Sequence, residues 1–249
     1  MQLWKKSGRN IRLTEVGLYL LGVASRVLPQ MEHADATIKK FSAGARGSLR
    51  IGMECHPCYR WLLQVISPYL AAWPEVDVDV RKQFTFRGIA ALYQYEIDVL
   101  VTPDPLLRKG VCFYPVFDYE QVLVVWDKHL LAQKKFIAPA DLVGETLITY
   151  PIEKDRLDIY KDFLTPAKLL PKKHIHVEDT DILLQMVASG RGVSALPRWM
   201  VEESRRQFKV KPLSMGVGGI HQKIYLGIRD EDYKPSYLIA FLETAGAKF

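Results

Sequence analysis

"LRIGMECHPCYRWLLQVISPYLAAWPEVDVDV", residues 49–80, decides the fold class. "LRIGM" is a short apolar run with strand character. "YRWLLQVISPYLAAW" has the apolar spacing of an amphipathic helix, with Pro68 near its end. "VDVDVRKQF" then alternates with period two, as a half-buried strand does. Strand, helix and strand in succession predict a parallel βαβ unit. Downstream the pattern repeats: "GIAALYQYEI" reads as a helix, "DVLVTPD" as a strand, and "PVFDYEQVLVVW" as a strand long enough to pass from one domain into another. A second α/β run follows. "PADLVGETLITYP" gives a short helix and a strand, "RLDIYKDFL" a helix, and "KHIHVED" a strand. "DILLQMVASGRGVSALP" reads as helix, glycine turn and strand. "KIYLGIRD" is a second crossing strand, and "SYLIAFLETAG" closes with a helix. Two α/β lobes joined by two crossing strands predict a clamshell, with ligand chemistry at the carboxyl ends of the strands.

Upstream the composition changes. Residues 1–50 hold nine Lys or Arg against three Asp or Glu, whereas the remainder holds 25 of each sign. The net charge of +6 therefore belongs to the N-terminal segment, which points to nucleic acid or a charged surface. "RLTEVG" places Thr14 at an N-cap and Glu15 in a first helical turn. Val16, Leu20, Val23, Val27, Met31, Ala34, Ile38 and Phe41 follow at spacings of three and four, a heptad-like seam suited to a partner helix. Pro29 should weaken one turn, and "SAGARGS" (42–48) reads as an exit linker. "VGLYLLGVA" after four basic residues has some features of a signal peptide, which would make the protein a periplasmic-type small-molecule binder. Glu15 and the continuing helical pattern argue against that alternative. Nowhere does an apolar run reach membrane-spanning length.

Three cysteines are too few and odd for a secreted disulfide framework, so a cytoplasmic location is expected. Cys55 and Cys58 form a C-x-x-C at a strand-to-helix turn. It reads first as the backbone of an anion-accepting pocket, then as a thiol-redox pair, and last as half a metal site. His174, His176 and Glu178 alternate on one strand face and are read as an exposed face, not as metal ligands. Asp179 and Asp181 suit capping. No GxSxG, GxxxxGK[ST] or HExxH occurs, and no residues assemble into a catalytic set. A binder without catalytic residues, cofactor or metal is the expectation.

"LWKKSGRNIRLTEVG" resembles the wing and helix start of LysR-type transcriptional regulators. "ECHPCYRWL", "DYEQVLVV", "LITYP", "DRLDIYKDFL" and "LLQMVASGRGVSALPRWMVEE" resemble the effector domain of the methionine-pathway branch of that family. The resemblance implies an α/β, two-lobed, periplasmic-binding-protein-like (type 2) effector domain. It implies a wing remnant at 1–13, a dimerisation helix at 14–43, a hinge at 44–48, lobe I at 49–120 plus 229–249, and lobe II at 121–228. Lys5, Lys6, Arg9 and Arg12 would touch the DNA backbone. Val16, Leu20, Val23, Val27, Met31 and Ile38 would carry a homodimer or homotetramer. The family's recognition helix has no counterpart in these residues, so this stretch alone is expected to bind DNA weakly and without base readout. The implied effector is L-homocysteine, in the cleft between the lobes. Its carboxylate suits backbone N–H groups near Cys55 and His56, and its ammonium suits Glu54 or Asp179. Thr102, Thr180 and Ser194 would offer hydroxyls, and Tyr150 and Phe86 would pack on the aliphatic part. A thiol-redox sensor using Cys55 and Cys58 is the other alternative.

Overall fold

The computed structural model describes residues 2–7, 10–42, 47–55, 57–81, 87–106, 108–230 and 234–246. The chain groups into two compact units: Met1–Cys55, Leu62–Val116 and Tyr225–Phe249 form unit 1, and His56–Trp61 with Phe117–Ile224 form unit 2. Arg9, His56 and Phe86 lie outside the described residues.

The elements in chain order begin with β1 (Trp4–Ser7), β2 (Asn10–Leu13), α1 (Glu15–Ser42), β3 (Gly47–Met53), α2 (Cys58–Ala72), β4 (Val76–Arg81), α3 (Gly88–Tyr93) and β5 (Val99–Thr102). There follow β6 (Val111–Trp126), β7 (Phe136–Ile137), β8 (Thr146–Thr149), β9 (Lys173–His176), α4 (Thr180–Ala188) and β10 (Val193–Pro197). The chain ends with α5 (Arg198–Ser204), β11 (Val210–Met215), β12 (Ile220–Arg229) and α6 (Ser236–Thr244). Among the described residues no helix is long and apolar enough to cross a membrane.

In unit 1, β1 and β2 form an antiparallel hairpin that sets Lys5 opposite Arg12 and exposes Lys6. Thr14 caps α1 as expected: the Gly17 N–H donates to its Oγ1 at 3.1 Å. The helix continues through Pro29 to Ser42. Strand order is β4-β3-β5 with all three parallel, and β12 lies antiparallel beside β5. Leu49, Ile51, Val99, Leu100 and Val101 are fully buried.

A buried charge cluster ties unit 1 together. Asp98 accepts from Arg50 Nε at 3.0 Å, from Arg50 Nη2 at 2.8 Å, from the Arg50 backbone N–H at 2.9 Å and from Arg229 Nη2 at 2.9 Å. Arg229 also donates to the carbonyls of Leu92 and Ile97, and its guanidinium stacks 4.2 Å from the centre of the Tyr95 ring. Burial alone would raise the Asp98 pKa. The hydrogen bonds and charge of Arg50, with the charge of Arg229, overcome it and hold the carboxyl below its ordinary value.

In unit 2, β10 runs parallel to β8, which runs parallel to β9, while β6 is antiparallel to both β10 and β11. Successive residues of β6 feed opposite faces. Leu123 and Val125 join a cluster with Leu147, Phe163 and Leu213, and Val122 and Val124 join one with Ile148, Leu184 and Met200. Both faces are therefore covered, which explains the unbroken apolar run "VLVV".

Three elements differ from the sequence reading. "RLDIYKDFL" forms a π-helical turn, Ile159–Leu164, closed by a bond from the Thr165 N–H to the Tyr160 carbonyl at 2.9 Å. α5 has no counterpart in the sequence reading, and β11 enters it only as the strand leading into the glycine turn at 216–219. Pro212 argues against a strand, yet β11 accommodates it. Pro212 pairs only with Val124 of β6, and β7 joins the other edge of β11 from Ser214 onward.

Candidate functional site

In each unit some of the residues expected to bind the effector lie at or just beyond the carboxyl ends of parallel strands. In unit 1, Glu54 follows β3 and Thr102 ends β5. The Glu54 backbone N–H bonds the Val101 carbonyl at 3.0 Å, which fixes its position. Its carboxylate accepts from the Gly88 N–H at 3.0 Å and from the Thr102 hydroxyl at 2.9 Å. Thr102 Oγ1 also lies 3.4 Å from the Asp104 carbonyl. A hydroxyl has one proton, and the shorter contact to a charged acceptor takes it. Thr102 is fully buried and Glu54 only partly so. The result is a partly exposed carboxylate that, among the described residues, is oriented by the Gly88 N–H and the Thr102 hydroxyl.

Gly88 makes this possible and was not singled out in the sequence. A Cβ there would lie 2.3 Å from Leu100 Cδ1 and 2.9 Å from Glu54 Oε1. Leu100 is fully buried and has little room to yield. Replacing Gly88 by Ala is expected to cost about 1–3 kcal/mol through overpacking and to displace Glu54. Urea unfolding of the variant measures this, and an unchanged midpoint would mean that the core gives way freely.

Cys55 and Cys58 are disulfide-bonded to each other. Residues three apart at a strand-to-helix turn come within the Cα separation a disulfide requires. Cys112 is a free cysteine and remote in sequence from the pair.

In unit 2, Tyr150 follows β8 and Thr180 starts α4. Their hydroxyl oxygens are 2.9 Å apart. Burial, chiefly, pushes the Tyr150 phenol up to about 12, so it stays protonated and can act as a donor. Asp179 serves as the α4 N-cap, accepting from the Ile182 N–H at 2.9 Å. Ser194 is not at a strand end. It lies within β10 opposite Val124 and Ile148, fully buried, and its Oγ has no hydrogen-bond partner among the described residues. Arg60, also unread in the sequence, donates to Asp181 at 3.2 Å and to Ser204 at 3.3 Å.

His174 departs from the exposed face expected of it. It is half-buried against Tyr160, and burial, helped by the charges of His176 and Lys154, lowers its pKa to about 4. Thr149 donates its hydroxyl proton to the Tyr150 carbonyl, so His174 Nε2 is the donor in their 2.8 Å contact. Among the described residues, no group of three or more His, Cys, Asp or Glu stands together in a way that could hold a metal.

Of the other expected residues, Lys5, Lys6 and Arg12 are exposed on the hairpin. Val16, Leu20, Val27, Met31 and Ile38 are exposed along α1, and Val23 is half-buried.

Residues 42–249 match the family model of the LysR substrate binding domain. The chain belongs to this LysR family. The HTH-type transcriptional regulator MetR of Salmonella typhimurium is 37% identical over 243 residues, covering 98% of this chain and 75% of that protein. MetR of Escherichia coli K12 is 37% identical over 244 residues, with the same coverage. Among solved structures, the regulatory domain of NMB2055 (MetR), a LysR family regulator from N. meningitidis, superposes with a TM-score of 0.72 at 35% identity. That match covers 80% of this chain and 92% of the other. The type 2 periplasmic-binding-protein-like α/β fold expected from the sequence is the LysR effector-domain fold found here.

Proposed function

We propose that the chain is the effector-sensing and self-associating part of a cytoplasmic LysR-type transcriptional regulator of methionine biosynthesis genes, with L-homocysteine as its effector. The observation that carries this reading is the MetR likeness along 98% of the chain, together with an oriented anion at Glu54. A zwitterionic thiol amino acid needs an acceptor for its ammonium, and Glu54 supplies a charge-assisted one. Tyr150 and Thr180 supply neutral hydroxyls suited to orienting a polar ligand. Lys5, Lys6, Arg9 and Arg12 serve the DNA backbone, which carries affinity but no sequence information.

Isothermal titration of the chain with L-homocysteine, with methionine and cysteine as controls, tests the effector. Saturable binding that favours homocysteine is expected. No heat from homocysteine, or equal affinity for all three, would remove the assigned ligand.

Self-association is assigned to the exposed seam of α1. Changing Met31, which is 60% exposed, to Glu is expected to weaken the oligomer at least tenfold with little effect on folding. Sedimentation velocity measures it, and an unchanged association constant would move the interface elsewhere.

A second reading, thiol-redox sensing, is favoured by one specific observation: the Cys55–Cys58 bond directly follows Glu54. The N. meningitidis domain has also been solved with two cysteines, three positions apart, changed to serine. Titrating the oxidised and the dithiothreitol-reduced chain separates the readings. Equal effector affinity in the two states would end the redox reading.

A further inference from the structure

The helix α1 has two working faces. Ser25, Pro29, Glu32, His33 and Ala36 line a cavity of about 660 Å³ against the rest of unit 1. At about 100° per residue, that face points about 180° away from the seam of Val16, Leu20, Val27, Met31 and Ile38. The seam is therefore left open while the opposite face rests on unit 1.

A polar contact between side chains pins the resting face. Arg50 Nη2 donates to His33 Nδ1 at 2.9 Å. Three further donors of that guanidinium are committed, Nε and Nη2 to Asp98 and Nη1 to the Tyr95 carbonyl at 2.5 Å. Arg50 is thus held in place and cannot follow α1 if the helix moves. The His33 ring also lies tilted over Tyr95, with centroids 5.7 Å apart. A guanidinium has only donors, so His33 Nδ1 must present a lone pair, and the neutral ring carries its proton on Nε2.

We propose that His33 is the positioning residue that docks α1 on unit 1, and that it does so only as the neutral imidazole. Protonation would set an N–H against an N–H and a cation against a cation. The charged groups around it act in both directions. Arg50, Arg81 and Arg87 line the cavity and oppose protonation, while Glu32 and Glu96 line it and favour protonation. Asp98 lies behind Arg50, shared between Arg50 and Arg229. The balance of these charges sets where in pH the contact fails. The Nδ1 lone pair decides whether it forms at all. Histidine is suited to this because its ordinary pKa lies within the physiological range.

The docking itself depends neither on the effector nor on DNA, so it is tested without either. Nitroxide labels go on Leu28→Cys in α1 and Leu70→Cys in α2, both at exposed positions. The full chain carries Cys112→Ser, keeps the Cys55–Cys58 bond, and is diluted with unlabelled protein so that only intrachain pairs are read. The distance distribution is expected to be narrow at about pH 8 and broad at about pH 5.5. His33→Asn, whose amide oxygen can replace Nδ1 as acceptor, should stay narrow at both. His33→Lys should be broad at both. Circular dichroism melts confirm that each variant is folded. A wild-type distribution unchanged between the two pH values, or a narrow His33→Lys distribution at pH 8, would overturn the proposal. So would a His33→Asn distribution that broadens with acid as the wild type does, because another group would then carry the change.

Discussion

Replacing Asp98 by Asn is expected to destabilise the chain by about 3–5 kcal/mol at neutral pH, the usual cost of removing one partner from a buried ion pair. The side chains of Arg50, Asp98 and Arg229 are 16%, 8% and 12% exposed, so little solvent is available to screen what remains. Asn would leave two buried guanidinium groups without a counter-charge. It would also turn an NH2 group toward donors that now point at a carboxylate oxygen. The wild-type carboxyl is held below its ordinary pKa by Arg50 and Arg229. Its contribution is therefore present above the unfolded value of about 3.9 and is lost as pH falls through the lower folded value. Urea unfolding at pH 7 and at about pH 3 checks both parts. The gap between wild type and variant should be large at the first and reduced at the second. A gap under about 1 kcal/mol at pH 7 would show that the cluster contributes no more than a surface pair.

Replacing Glu54 by Gln is expected to lower affinity for a zwitterionic effector by about 10–100-fold while leaving the fold nearly as stable. The separation of the two effects follows from the local geometry. The Gln amide oxygen can accept from the Gly88 N–H, and its NH2 can donate to Thr102 Oγ1. The Thr102 proton then turns to the Asp104 carbonyl, already 3.4 Å away. The Gly88 and Thr102 donors each keep an acceptor, while the charge is removed. Calorimetry on the variant, with a urea melt in parallel, reads affinity and stability separately. Unchanged affinity would mean that Glu54 orients its neighbours and does not receive the ammonium.

Local information was legible in the sequence where one residue type sufficed. The Thr14 cap and the succession of strands and helices from β3 onward follow from short-range pattern. So does β6, whose length announced a long strand, although its burial on both faces emerged only from the packing of its neighbours. Long-range pairing was not legible. Arg50 and Asp98 are 48 residues apart, and nothing in either segment names the other. Gly88 reads as an ordinary helix-start glycine until Leu100 and Glu54 are seen against it. The residues expected at the site divided along the same line. Glu54 with Thr102 and Tyr150 with Thr180 do come together, because strand ends within one unit converge. Asp179 is occupied with capping, and Ser194 sits inside the sheet, since a small hydroxyl fits a strand interior as readily as its end.

The opposed faces of α1 place a phase constraint on its sequence. One residue inserted between Leu20 and Pro29 would turn the early seam by about 100° relative to His33. Partner and unit 1 would then require different rotations of the same rod. Seven inserted residues would restore the relation to within about 20°, at the cost of a helix about 10 Å longer. Variation in the length of this helix should accordingly be tolerated in whole heptads and refused in single residues.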